Sequence, residues 1–192
     1  MASYIFTDLL NRAPTELRSS ATDARNWLDT NMKRTVTPGN LLSGEGSKTF
    51  AKRLTTRPSS GTLNMFLYTA KTPTSKLPYY DRFPLIFVTG MDRNGFTGMN
   101  LHYLPPLLRA KLFDSVSIDQ ERGGLSQGNI IAKASRLKYY KPCIKKYLNN
   151  RVQSRFVQVY PEEWYIALFL PTERFTTNKS RVFGDTIEKM NK

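Results

Sequence analysis

FPLIFVTG (residues 83–90) runs into MDRNG (91–95) and then into FTGMNLHYL (96–104). The first and third pieces are apolar and rich in β-branched and aromatic side chains, which favour a pleated, half-buried backbone. Between them, Asn94-Gly95 is a dipeptide suited to the positive φ angles of a tight hairpin turn. TLNMFLYTA (62–70) has the same character as the two outer pieces. Together they predict three antiparallel strands, a small sheet that can close into a partial barrel.

Working outward, the chain next predicts helices. Pro105 and Pro106 lack amide hydrogens, which suits a first helical turn, and PLLRAKLFDSV follows with an apolar face at Leu107, Leu108, Leu112 and Phe113. Gly123-Gly124 breaks the chain before GNIIAKASRLKYY (128–140), a second helix, and Pro142 opens a third through CIKKYLNN (143–150). RVQSRFVQVY (151–160) reads as a strand. In EEWYIALFL (162–170) the preceding Pro161 and the two acids favour a helix start, giving a buried helix stopped by Pro171. The fold class expected is α+β, with helices packed on the small antiparallel sheet.

Residues 1–60 are thin in large apolar side chains and rich in Ser, Thr, Asn, Lys and Arg. They read as a polar, basic, extended arm with two short helices, Ile5–Asn11 and Ser20–Met32, the second placing Ala21, Ala24, Trp27 and Leu28 on one face. The stretch TVTPGNLLSGEGSKTFAKRLTTRPSSG (35–61) has turn residues and little periodicity, so it is expected to be extended or loosely looped unless a partner orders it. A compact body over 61–175 and a polar tail over 176–192 complete the expected organisation.

A chain of 192 residues with 40% hydrophobic and 12% aromatic content can fill one core. Lys and Arg number 29 against 15 Asp and Glu, a net charge of +14, so the partners expected are anions: nucleic acid, a lipid surface or an acidic protein. The one cysteine, Cys143, excludes an internal disulfide, and with the one histidine, His102, leaves too few soft ligands for structural zinc. There is no phosphate loop, no HExxH motif and no carboxylate cluster with metal-binding spacing. Gly95 and Gly98 belong to the hairpin and Gly123-Gly124 to a loop, so they make no phosphate cradle. No cofactor and no metal are expected. MASYIFTDLLNRAPTEL lacks a charged leader with an apolar core, and no apolar run approaches the roughly 20 residues of a membrane span. A chain made in the cytoplasm without a membrane partner is expected.

A catalytic reading would rest on His102 as proton carrier, with Asp81 as orienting acid or Cys143 as nucleophile, in a nuclease or hydrolase. Leu101 and Tyr103 flank His102, and Cys143 lies among apolar neighbours, so both are read as packed residues and no catalytic residue is assigned. LPYYDRFPLIF (77–87) reads as a rigid corner feeding a strand into the core. Pro78 and Pro84 fix φ and hold Leu77 and Phe83 extended; Tyr79 and Tyr80 supply apolar area; Asp81 accepts backbone amides and Arg82 lies over a ring.

Charge is most lopsided between Arg122 and Pro161, which hold nine basic residues and no acid. Lys133, Arg136, Lys138, Lys141, Lys145, Lys146, Arg151 and Arg155 are therefore the candidate anion-binding or nucleic-acid-binding residues. Tyr139, Tyr140, Tyr147 and Phe156 are interleaved with them, available either to stack on bases or to pack inward.

At LPYYDRFPLIF, GFTGMNLHYLPPLLRAKL (95–112), KYYKPCIKKYLNNRVQSRF (138–156) and EEWYIALFLPTERF (162–175), the chain resembles a family of small basic proteins of T4-like contractile-tailed phages. The resemblance runs from about Leu63 to Phe175, with the LPYYDxFPL and NLHYLPP strings its most specific parts. It implies a non-enzymatic virion protein, described either as a baseplate or other structural component or as a DNA end protector. The partners implied are other virion subunits in a symmetric assembly of many copies, and double-stranded DNA. No catalytic residues come with it.

Overall fold

Six strands pair antiparallel in the order β1-β6-β2-β3-β4-β5. They are β1 (Leu54–Thr55), β2 (Leu63–Met65), β3 (Leu85–Met91), β4 (Gly95–Asn100), β5 (Ile144–Leu148) and β6 (Phe156–Val159). The computed structural model describes residues 4–12, 20–27, 53–72, 78–121, 126–169 and 174–192. Helices α1 (Ile5–Leu10), α2 (20–27), α3 (Pro106–Glu121), α4 (Gln127–Ser135), α5 (Trp164–Phe169) and α6 (Lys179–Asn191) complete the α+β fold. The sheet is open: β1 and β5 are its edges, and the partial barrel expected from the strand pattern does not form.

Every residue of Leu85–Val88 is buried, because β3 is covered on both faces. Leu85 and Phe87 pack on the helical side, and Ile86 and Val88 on a second, smaller cluster with Phe66, Phe96, Tyr147 and Phe156. On the helical side Phe87 meets Trp164 edge-on at 5.3 Å, Trp164 stacks on Phe113 at 5.2 Å, and Phe113 meets Phe6 of α1 at 5.2 Å. One aromatic contact thus hands the next from sheet to α5, α3 and α1, each adding packing beyond its buried area.

The hairpin forms where expected but by a different turn. Among the described residues only Gly61 has positive φ, so Asn94 and Gly95 do not adopt the mirror-image turn. Asp92 and Gly95 exchange backbone hydrogen bonds (2.8 and 3.4 Å), and a register shift between Val88 and Gly90 supplies the extra twist that such a turn demands. Glycine is needed at 95 for space: a Cβ there would sit 2.0 Å from the Tyr147 carbonyl oxygen of β5. At Gly61 both reasons apply, with φ at 82° and Gly128 Cα 2.5 Å from where a Cβ would lie.

Helices α1, α3 and α5 stand where the sequence predicts them. On α3, Leu107 is 48% exposed and the buried face is Ala110, Leu112, Phe113 and Val116, with Arg109 donating to the Leu104 carbonyl at 2.9 Å. The second helix ends at Ser135, and Lys138–Cys143 is a 3-10 turn containing Pro142. CIKKYLNN is not a helix but β5 and its exit. Ile144, Tyr147 and Leu148 have helical spacing, yet pairing with β4, Met99 with Ile144 and Gly95 with Leu148, satisfies the backbone as an edge strand. The predicted strand at 62–70 shortens to Leu63–Met65, after which Tyr68 makes a single bridge to Val152. Gly123-Gly124, Leu77, Pro171 and most of the stretch 35–61 lie outside the described residues, as does the end of the helix expected over Ser20–Met32.

Both chain ends described here pack on the body. Asp114 of α3 accepts from Phe6 N (2.8 Å), Thr7 N (3.0 Å) and Thr7 Oγ1 (2.5 Å), so a carboxylate from a distant helix caps α1. Arg53 lies between the rings of Trp27 (5.4 Å) and Tyr160 (5.0 Å) and pairs with Glu163 at 2.5 Å. Burial opposes charge on Glu163, but Arg53 and Trp27 together hold its carboxyl below its ordinary range. The stretch expected as a polar tail carries α6, because Val182, Thr186 and Met190 recur every four residues and bury one stripe. Asp114→Ala should destabilise the protein by about 2 kcal/mol, since it removes the acceptor of the buried Phe6 amide and of two part-buried Thr7 donors. Chemical denaturation checks this, and an unchanged midpoint would remove Asp114 as the anchor of α1.

Candidate nucleic-acid interface and the buried corner

The eight candidate cations fall into three groups. Lys133 on α4, Arg136 at its C-cap, and Lys138 and Lys141 in the 3-10 turn are all exposed and follow one another along the chain. None has a carboxylate partner among the described residues. Tyr139, 63% exposed, and Leu137, 51% exposed, stand between them. Arg151 and Arg155 flank the entry to β6, the first half-buried and the second exposed.

Lys145 and Lys146 differ from these and from each other. They are neighbours on β5 and so point to opposite faces. Lys146 is exposed and pairs with Asp92 across the hairpin at 2.6 Å. Lys145 is half-buried with its Nζ 4.3 Å from the centre of the Tyr103 ring. Burial lowers its pKa, and nearby Lys189 adds to the effect. Of the interleaved aromatics, Tyr147 and Phe156 pack in the smaller core and Tyr140 against the larger one, leaving Tyr139 exposed.

The corner is built around Asp81, which is 3% exposed. Its Oδ1 accepts from Phe83 N (3.0 Å), and its Oδ2 accepts from Asn100 Nδ2 (3.1 Å) and lies 2.7 Å from His102 Nδ1. Opposite a carboxylate oxygen the ring nitrogen is the donor. Asn100 Nδ2 also donates to Tyr147 Oη (3.1 Å), and its Oδ1 accepts from His102 N (2.9 Å). The backbone on either side is clamped: Arg82 N donates to Arg174 O (2.9 Å) and Thr176 N to Tyr80 O (3.0 Å). Burial, then Asp185 on α6, pushes the Tyr79 phenol up to about 12.

This network is sealed from solvent. His102 and Asp81 side chains are 0% and 1% exposed, and the pair ties the Leu101–Tyr103 turn to the corner. Cys143 is fully buried, and burial pushes its thiol up to about 12, with Lys145 and Arg109 offsetting only part. Such a sulfur stays protonated, and therefore a poor nucleophile, at neutral pH. Among the described residues no group of three or more His, Cys, Asp or Glu could hold a metal, and no helix is long and apolar enough to cross a membrane.

Beside the corner lies a cleft of about 380 Å³ between the 68–72 segment, the 79–81 corner and β5. Tyr68, Lys71, Tyr79, Tyr80, Tyr103 and Lys145 are among the side chains lining it. Sequence reasoning passed over Lys71, Tyr68 and Tyr103, because no spacing rule joins a loop at 71 to a strand at 145. The exposed run of cations and the tyrosine-walled cleft are the two surface features set apart by their chemistry. Residues 46–190 match the family model of the Phage T4 terminal DNA protecting protein, and the chain belongs to that family. No curated protein and no solved structure matches it.

Asp81→Asn places an amide donor among existing donors and should cost about 2 kcal/mol, seen as a melting temperature roughly 4–8 °C lower; an unchanged melt would show that Asp81 does not hold the corner. Cys143 should react with a thiol reagent at pH 8 only on unfolding. Rapid modification of the native chain would overturn the buried, protonated thiol.

Proposed function

We propose that the chain binds the ends of linear double-stranded DNA and shields them from degradation, by occupying the end and making or breaking no bond. Carrying this reading is the family match over residues 46–190, which includes the exposed cations from Lys133 to Lys141. The net charge of +14 supports it, since a surplus of this size draws the protein toward polyanions over long range. The exposed Lys133, Arg136, Lys138 and Lys141, without carboxylate partners among the described residues, neutralise phosphates and release counterions, giving affinity without sequence preference. Arg155 and the half-buried Arg151 extend the same contact. A protein with this role travels with the packaged DNA, in the virion assembled in the host cytoplasm, beside other virion subunits. A baseplate, tail or neck role in many symmetric copies draws no support from the family description.

Reversing two charges tests the interface. Lys138→Glu with Lys141→Glu should lower affinity for linear duplex at least tenfold at low salt and flatten the slope of log K against log salt by about 2, at roughly 0.9 per lost phosphate contact. Melting should be unchanged, because both side chains are exposed. An unaltered affinity and slope would remove this segment from the interface.

A further inference from the structure

The cleft beside the corner has features that duplex binding does not use. Its volume, about 380 Å³, lies at the small end of the roughly 300–1,000 Å³ typical of sites for small molecules. A duplex is far too wide to enter, whereas one nucleotide is not. Lys145 stands half-buried on its wall with its Nζ over the face of Tyr103 and no carboxylate partner among the described residues. A cation withdrawn from water and left unpaired is costly, and an anion in the cleft would offset that cost. Lys71, exposed and also on the lining, adds a second positive charge.

Hydroxyl donors complete the cleft. Tyr68 Oη accepts from Leu148 N at 3.4 Å and so keeps its own proton to give, and the Tyr103 hydroxyl is a second possible donor on the lining. Burial raises both phenols above their ordinary range, which keeps them protonated at neutral pH. Asp81 reaches the lining too; its oxygens are engaged by Phe83, Asn100 and His102, but a carboxylate still repels a nearby phosphate, so Lys145 and Lys71 must outweigh it. Tyr80, half-buried at the rim, offers a ring for a base.

We propose that this cleft takes up the terminal nucleotide of a DNA strand, its phosphate between Lys145 and Lys71 and its base against Tyr80. The proposal rests on the DNA-end reading and deepens it: it explains how a basic protein tells an end from the interior of a duplex. In continuous duplex every nucleotide is paired and stacked, whereas the last one can leave the stack at least cost.

The test uses the full chain and three DNA measurements: exonuclease protection of linear duplex, affinity for linear duplex and affinity for covalently closed circular duplex. Lys145→Met, which keeps the apolar stem and removes the charge, should reduce end protection roughly tenfold while affinity for closed circles changes by less than about twofold. Lys71→Gln, at an exposed site, should act in the same direction and serves if Lys145→Met does not fold by circular dichroism. In parallel, deoxyadenosine monophosphate should compete for ends, while deoxyadenosine and inorganic phosphate at equal concentration should not. Undiminished protection by both variants, a parallel loss on closed circles, or equal competition by inorganic phosphate would overturn the nucleotide site. Wild-type protein that neither protects linear ends nor prefers them to closed circles would instead overturn the DNA-end reading itself.

Discussion

Burial of β3 on both faces is the constraint around which the rest of the molecule is arranged. Four consecutive apolar residues, Leu85 to Val88, cannot satisfy a sheet that faces water on one side. The helices α1, α3 and α5 therefore cover one face through Phe6, Phe113 and Trp164, and the chain's own 66–68 segment turns back to cover the other with Phe66 and Tyr68. That turning back ends β2 after three residues and brings the 68–72 segment to the edge at β5. The cleft exists because the second face had to be covered by a short segment and not by a full layer.

Asp81 links this packing to the surface. It gathers the amide of Phe83, the amide group of Asn100 and the ring of His102 in a buried site, where each donor left unmet would cost more than the bond itself contributes. Through Asn100 the same network reaches Tyr147 on β5, so the corner, the end of β4 and the lysine-bearing edge strand are held in one register. A histidine and an aspartate at 2.7 Å look like the start of a catalytic pair, but burial decides otherwise.

Much of the candidate interface could be seen before folding, because charge is a property of composition. The excess of cations between Arg122 and Pro161 needs no coordinates to count. What the count cannot tell is which of them are free. Lys133, Arg136, Lys138 and Lys141 are exposed with no carboxylate partner among the described residues, Lys146 is held by Asp92, and Lys145 is drawn over Tyr103. Those differences come from residues dozens of positions away. Similarly, the spacing of Ile144, Tyr147 and Leu148 suited a helix, and only the open edge of β4 made it a strand.

Local sequence determined the strands at 85–91 and 95–100, the helix opened by Pro106, the buried helix at Trp164 and the stiffness around Asp81, because propensity, proline geometry and apolar period act over a few residues. Tertiary structure alone decided that the sheet stays open, that Asp114 caps α1, that the last residues form a docked helix, and that Lys71 and Lys145 face one cleft. Each of those depends on groups far apart in the chain meeting in a shared, water-poor space, where the strength of a hydrogen bond or charge is set by its surroundings and not by its neighbours in sequence.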